Sequence, residues 1–267
     1  MPSKPLTHSS IYNDLKKIDR NWNEIKPDTR ISLSRKEKWV KLIHMFEKIS
    51  AQYAVVVGIS NIITKRFIYA VDKRNVIGYE LSRYLANDGL DFSNSNWHAD
   101  FLHSLLLMQE EAIKYYLKLT DEEKNKMVIN YEGMYKRSNG QYFHLLQQTV
   151  CLETDRKNQP FLFLIYIHDI GYLKKSGTAN FVITTPNEVK LWNFNFDKNC
   201  LEPVNPISKQ EKKILSYLSL GKSTKEIAKE LFISPLTVDK HRRNLLKKTN
   251  CIDTTALITY AKLVGLF

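Results

Sequence analysis

The stretch GKSTKEIAKELFISPLTVDKHRRNLLKKT, from Gly221 to Thr249, decides how this chain is read. Its spacing predicts two short helices joined by a tight turn. Ser223 is placed to cap the first helix, and Glu226 three residues on can return a bond to the cap's own N–H, the capping-box pattern. Ile227, Ala228, Leu231 and Phe232 follow at i, i+1, i+4 and i+5, which predicts one buried stripe. Beyond Ile233 a second start signal comes at once, with Ser234 as N-cap and Pro235 at the first helical position. On the second helix Val238, His241 and Leu245 share one side, and Asp239, Lys240, Arg243 and Lys247 share the other. A short basic helix, held by its apolar side against a scaffold helix, has the shape that a DNA major groove admits.

Working outward, the segment from Ile207 to Phe267 resembles the DNA-binding domain of the LuxR/GerE family of bacterial transcription regulators. The resemblance rests on Ser208, Glu211, Gly221, Glu226-Ile227-Ala228, Leu231, Ser234, Thr237-Val238, His241, Leu245, Lys248, Ala261 and Gly265, at family spacing without gaps. One departure is Gln210, where the family usually has Arg. The resemblance implies an all-α four-helix domain whose second helix-turn-helix helix reads bases through Asp239, Lys240 and Arg243. Lys and Arg suit guanine O6/N7. Asp239 either accepts from cytosine N4–H₂ or orients Arg242 or Arg243. Thr237, His241, Arg242 and Lys247 fall to phosphates, together with Ser223, Thr224 and Lys225 at the start of the scaffold helix. His241 has an alternative use, burying its ring with Val238 and Leu245. The last helix, capped by Asp253 and ended by Gly265, carries Ala256, Leu257, Tyr260 and Leu263. In the family this helix pairs two domains, which implies a homodimer on a near-palindromic double-stranded site. RNA polymerase is a further partner consistent with that role.

Charge points the same way. The net charge is +12, and from Pro206 onward ten Lys and two Arg face five acidic residues, +7. More than half of the excess therefore lies in the last quarter of the chain, as a polyanion partner would require. The sequence has no apolar run of membrane-spanning length, and MPSKPLTHSS lacks the apolar core of a signal peptide, so a cytoplasmic protein with no membrane partner is expected. Cys151, Cys200 and Cys251 are odd in number and far apart, and are expected to be reduced packing residues.

Upstream, Ile11, Leu15, Ile18, Trp22 and Ile25 recur at 4, 3, 4, 3 spacing and predict a helix. A second helix, carrying Trp39, Leu42, Ile43, Phe46 and Ile49, is expected behind Ser34 as its cap. These helices either pack on the following domain or pair two copies. Strands are expected over Tyr53–Ile59 and Phe67–Val71, then helices from Val76 and from His98 to about Leu119, with Asp121 and its acidic neighbours capping a further turn. Strands return over Met127–Arg137, Tyr142–Leu152 and Phe161–Ile170. Asn139-Gly140 supplies a type I′ hairpin signal between the first two. Two added strands are expected at Phe181–Thr184 and Val189–Phe196, and Leu201–Pro206 reads as a linker.

This order, with FIYAVDKRNVIGYE, Asn96-Trp97-His98-Ala99-Asp100, the hairpin Tyr135–Phe143 and His168-Asp169-Ile170, resembles a PAS domain. The expected fold class is α+β: a PAS-like antiparallel sheet domain with N-terminal helices, followed by the all-α four-helix domain. The expected division is a helical segment at 1–50, a PAS-like sensory or dimerisation domain at 51–200, a linker at 201–206 and the DNA-binding domain at 207–267.

No phosphate-binding Gly-rich loop, GxSxG or HExxH motif occurs, and no acidic set of a phospho-receiver follows the first strand. An enzyme is not expected, and no cofactor is assigned. His98, His103, His144 and His168 are the candidates for haem, and the sheet aromatics for a small-molecule cavity, in the alternative reading. That alternative is a haem, flavin or small-molecule sensor whose output is mainly protein–protein interaction.

Overall fold

The computed structural model describes residues 33–154 and 160–266; the expected helix bearing Ile11 to Ile25 lies outside the described residues. The chain divides into two compact units, one running to Ser95 and including Leu152–Tyr166, the other holding Asn96–Cys151 and Ile167 onward. This division differs from the expected boundaries at 50 and 206.

In the first unit, helix α1 (Leu33–Tyr53) precedes strands β1 (Val56–Asn61) and β2 (Arg66–Val71). Ser34 falls inside α1 and so does not cap it, and Tyr53 ends the helix where a strand was expected. Ala54, in the left-handed region at φ 51°, makes the break. Phe46 packs with Val55, Val57, Ile59, Ile68, Val71, Phe161 and Leu162. β1 is buried along its whole length, which is why Val56, Val57, Gly58 and Ile59 read as an unbroken apolar run and not an alternating one. The helix expected from Val76 does not form. The Asp72 carboxylate instead accepts the N–H groups of Val76 and Ile77 at 2.8 and 3.0 Å, and Gly78 takes φ 74°. Local side-chain acceptors of this kind compete with helix formation. A 3₁₀ turn at Leu81–Arg83 and the short helix α2 (Gly89–Ser95) follow. The strand order here is β2-β1-β5, with β5 spanning Pro160–Asp169.

The second unit opens with α3 (Ala99–Tyr116), capped by His98, and α4 (Asp121–Lys126). The cap of α4 is Thr120, in a capping box with Glu123, and Asp121 is the first helical residue. Strands β3 (Val128–Lys136), β4 (Tyr142–Thr154), β6 (Asn180–Thr184), β7 (Val189–Asn195) and β8 (Cys200–Pro203) form the order β4-β3-β6-β7-β8, each neighbour antiparallel. The β3–β4 turn is not type I′. Gly140 alone of the Asn-Gly pair has positive φ, 84°, its N–H reaches the Arg137 carbonyl at 2.9 Å, and Arg137 donates to Gln141 at 2.8 Å. That is a type I turn followed by a left-handed glycine, which a three-residue loop prefers. β8 takes Leu201–Pro203 out of the expected linker by pairing them with Phe194, Asn193 and Trp192 of β7. Pro203 is tolerated there because it ends an edge strand. Gly133 positions α3: a Cβ on it would stand 2.5 Å from the Trp97 ring just ahead of that helix.

Four helices follow: α5 (Lys209–Ser219), α6 (Thr224–Leu231), α7 (Pro235–Thr249) and α8 (Thr254–Val264). Ile214, Leu218, Ile227, Ala228 and Val238 make their own core. A second cluster joins them to the sheet: Leu245, Ala256, Leu257, Tyr260, Ala261 and Val264 pack with Leu146, Ile170, Leu173, Val182 and Leu191. The architecture is α+β followed by an all-α four-helix domain. Among the described residues no helix is long and apolar enough to cross a membrane.

Candidate nucleic-acid interface

Two hydrogen-bonded caps and one tight turn set the angle between α6 and α7. Ser223 accepts from the Glu226 N–H at 3.3 Å, and Glu226 accepts from the Ser223 N–H at 2.8 Å. The Ser223 hydroxyl bond holds the Glu226 carboxyl below its ordinary pKa, and the backbone bond adds to this. Ser234 accepts from Thr237 N–H at 3.0 Å to start α7. Between them Phe232 adopts φ 54°, ψ 43° as the left-handed C-cap, and the Ile233 N–H closes onto the Ala228 carbonyl at 3.0 Å. The expected stripe is therefore cut short. Ile227 and Ala228 are buried, Leu231 is half-buried, and Phe232 is 95% exposed because the left-handed turn swings it off the helix face.

The solvent side of α7 presents Leu236, Lys240, Arg243 and Lys247 at i, i+4, i+7 and i+11, all exposed. At 100° per residue these four fall within one narrow strip. None of the three cations has a carboxylate within ion-pair distance among the described residues. Neither does Lys225, exposed in the first turn of α6. Leu236 (72% exposed) and Phe232 were absent from the sequence-derived set; an apolar residue directly after a proline in the first helical position, or at a helix end, gives no signal of exposure without the turn geometry.

Asp239 stands to one side of this strip. It pairs with Arg242 at 3.0 Å and accepts from the Thr224 hydroxyl at 3.2 Å, so it clamps α7 to the first residue of α6. Of the alternatives open in the sequence, orientation of Arg242 is the contact present. His241 is half-buried, with Nδ1 buried and without a hydrogen-bond partner among the described residues. Thr237 is half-buried and holds the Ser234 hydroxyl at 2.8 Å.

The base of the domain is tied down by Glu211 and Lys248, 2.7 Å apart. Burial works to raise the Glu211 pKa, but the bonds from Lys248 and from the Ser208 cap outweigh it and leave it lowered. At the far end of α7, one residue between β5 and β6 and one of β6 donate to the carbonyls that the helix cannot satisfy itself. Lys174 donates to Thr249 O at 2.5 Å and Asn180 to Lys248 O at 3.2 Å. α8 is finished the same way, with Gln148 donating to Leu263 O at 2.7 Å and Thr184 to Val264 O at 2.8 Å.

Residues 205–261 match the family model described as bacterial regulatory proteins, luxR family. The C-terminal domain is a LuxR-family helix-turn-helix domain. Similar curated proteins include the transcriptional regulatory protein MctR of Rhizobium johnstonii, 42% identical over 60 residues, 22% of this chain and 28% of that one. The regulatory protein SdiA of Escherichia coli is 40% identical over 70 residues, 26% and 29% respectively. The chain thus spans under a third of the length of these relatives. Among solved structures, a ligand–DNA complex of VqmA from Vibrio cholerae is 15% identical over 84% of this chain and 88% of that one, with TM-score 0.28. The N-terminal domain of a diguanylate cyclase with PAS/PAC sensor from Marinobacter aquaeolei is 13% identical over 44% and 95%, with TM-score 0.31. Likenesses this slight assign neither a fold nor a ligand.

The four histidines weighed for haem have separate partners. His98 caps α3 and lies 4.8 Å from the Tyr142 ring, and His103 is exposed near Phe194. His144 is buried beside Glu132, and His168 bonds Gln148 at 3.1 Å. Among the described residues no three His, Cys, Asp or Glu side chains group as metal ligands. None of the three cysteines forms a disulfide among the described residues.

Proposed function

We propose that the chain is a one-component, sequence-specific DNA-binding transcription regulator. The observation that carries this is the exposed strip Leu236, Lys240, Arg243 and Lys247, whose cations have no carboxylate partner among the described residues, on a helix capped by Ser234 and set against the helix capped by Ser223. Lys240 and Arg243 reach base edges, guanine being their preferred partner, and Leu236 is placed for a thymine methyl. Lys247, Lys225, Thr224, Ser223 and Thr237 serve phosphates. Asp239 contributes by fixing Arg242 for the backbone, and His241 by wedging its ring beside Val238. The protein acts as a homodimer on a near-palindromic site, with half-sites about one helical turn apart. The α+β part, PAS-like in strand order and local motifs, senses a signal or a small molecule, or supplies dimer contacts, and RNA polymerase is engaged downstream.

The test is binding of the full chain to duplex fragments selected from a bacterial genome. Affinity must fall steeply between 50 and 200 mM salt, by on the order of 10³-fold or more for a protein neutralising six or more phosphates. A bound set with no common sequence, or salt-independent binding, refutes the reading.

A further inference from the structure

Helix α3 is apolar on two sides, and among the described residues only one of them has a partner. Phe101, Leu105, Met108, Ala112, Tyr115 and Tyr116 are buried. On the other side Leu102, Leu106, Ile113 and the C-cap residue Leu117 are 36%, 56%, 58% and 58% exposed. A solvent-facing row of four large aliphatics is uncommon on a monomer and marks an interaction surface.

The row has an internal symmetry. Its spacing is 4, 7, 4, with half-exposed Gln109 in the gap. Leu102 and Leu117 are equidistant from the point between Gln109 and Glu110, and so are Leu106 and Ile113. A second copy laid antiparallel therefore sets Leu102 against Leu117 of the other chain, and Leu106 against its Ile113. That self-complementarity is what an isologous two-fold contact demands, and an unrelated partner places no such constraint on the sequence. Charge agrees. Glu110, the carboxylate nearest the crossing, is already paired with Lys114 at 2.7 Å, so the two copies do not repel there. Antiparallel helices also oppose their dipoles, and bring acidic Asp100 at one end to the same end and flank as Lys118 of the other copy. On α8, which the family resemblance assigns to pairing, Ala256, Leu257 and Tyr260 are buried against the sheet and so are not open to a second copy.

We propose that this face of α3 is a homodimer interface, two copies crossing antiparallel about a two-fold axis at Gln109–Glu110. The proposal goes beyond the DNA-binding reading and stands independently of it, since the contact forms without DNA. The row is about 22 Å long, so the buried area falls at the small end of specific interfaces and the association is weak and concentration-dependent.

The experiment uses the full chain without DNA. Sedimentation should show a monomer–dimer equilibrium, and Leu106→Glu with Ile113→Glu should shift it to monomer at least tenfold up the concentration scale with an unchanged melting temperature. In a Cys151→Ser, Cys200→Ser background, Gln109→Cys should be joined into a covalent dimer by a short bismaleimide. Leu102→Cys alone should not, because the two copies of that residue lie about 22 Å apart along the axis. A chain monomeric at all concentrations, a dimer indifferent to the double Glu substitution, or equal cross-linking at Leu102→Cys and Gln109→Cys overturns the proposal. So does a loss of melting temperature without a change in sedimentation, which would mean that the chain covers this face with its own residues.

Discussion

Lys174 and Glu132 form a fully buried ion pair, 3.0 Å apart, in the unit that also holds the helix-turn-helix. The Lys174 ammonium lies 3.6 Å from the Tyr260 ring centre in α8 and donates to Thr249 O at the end of α7, as well as to Asn180 Oδ1 at 2.8 Å. Glu132 accepts from the Asn180 N–H at 3.1 Å and lies 3.5 Å from His144 Nε2. Burial works to raise its pKa, but the Lys174 charge, followed by His144 and Tyr260, outweighs burial and leaves it lowered. Tyr260 is pushed well above the ordinary tyrosine value, first by burial and then by the Glu132 charge. One cation thus satisfies a strand carboxylate and a helix-terminal carbonyl at once.

Removing one member of such a pair leaves the other charged and dry. Lys174→Met should therefore cost about 3–5 kcal/mol of unfolding free energy in urea titrations. The double variant Lys174→Met, Glu132→Gln should recover a clear part of that loss. Additive losses in the double-mutant cycle would show that the two side chains are not energetically coupled.

Arg243 and Lys247 lie on the same strip but at different depths along the proposed groove contact. Arg243→Ala should cost about 1–3 kcal/mol on the preferred site and relax base preference at one position in each half-site. Lys247→Ala should weaken all duplexes alike and lower the salt slope by about 1. A specificity profile unchanged in both variants would place base reading elsewhere.

Asp239→Ala frees Arg242 and removes the acceptor of Thr224. The lost pair is solvent-accessible, so stability should fall by about 1 kcal/mol at most. Non-specific DNA affinity should rise, since one anion leaves the interface and one guanidinium becomes available for phosphate. Weaker binding to every duplex would instead mean that holding Arg242 in place matters more than its charge.

Phe232 carries a Cβ in the left-handed region and exposes its ring. Phe232→Gly should relieve backbone strain on the order of 1 kcal/mol, raising the melting temperature. If the ring touches DNA, the same variant should bind its operator less well, stability and function moving in opposite directions.

His168 is held to a pKa of about 4 by burial, against 6.5 when unfolded. The unfolded chain therefore takes up the proton first, and stability falls as pH drops from about 6.5 towards 4, by at most about 3 kcal/mol. Urea midpoints between pH 7 and 4 should show this loss, and His168→Gln should flatten it. An unaltered pH profile in the variant would locate the titration in another group.

The helix-turn-helix was legible because its determinants are local. Ser223 with Glu226, Ser234 with Pro235, Asp253 and Gly265 each act on backbone within one turn, and each cap formed where its residues predicted. Strands β3 to β7 were legible for the same reason, since their apolar patterns are continuous. Misreadings arose where a single side chain or dihedral overrode a pattern. Asp72 unwound the helix expected at Val76, Phe232 left the core, and Leu201–Pro203 joined β7 because a free strand edge was there to receive them.

What the sequence by itself determined is thus the order and type of most elements, the LuxR-type domain, and the charge of α7, all of which depend on neighbours within a few residues. Only the tertiary structure decided that Asp239 accepts from Thr224, that the α3 row is exposed, and that Lys174, Asn180, Gln148 and Thr184 close the ends of α7 and α8. Those contacts join residues up to 115 positions apart. Their partners are chosen by how the sheet and helices pack, and no local spacing encodes that choice.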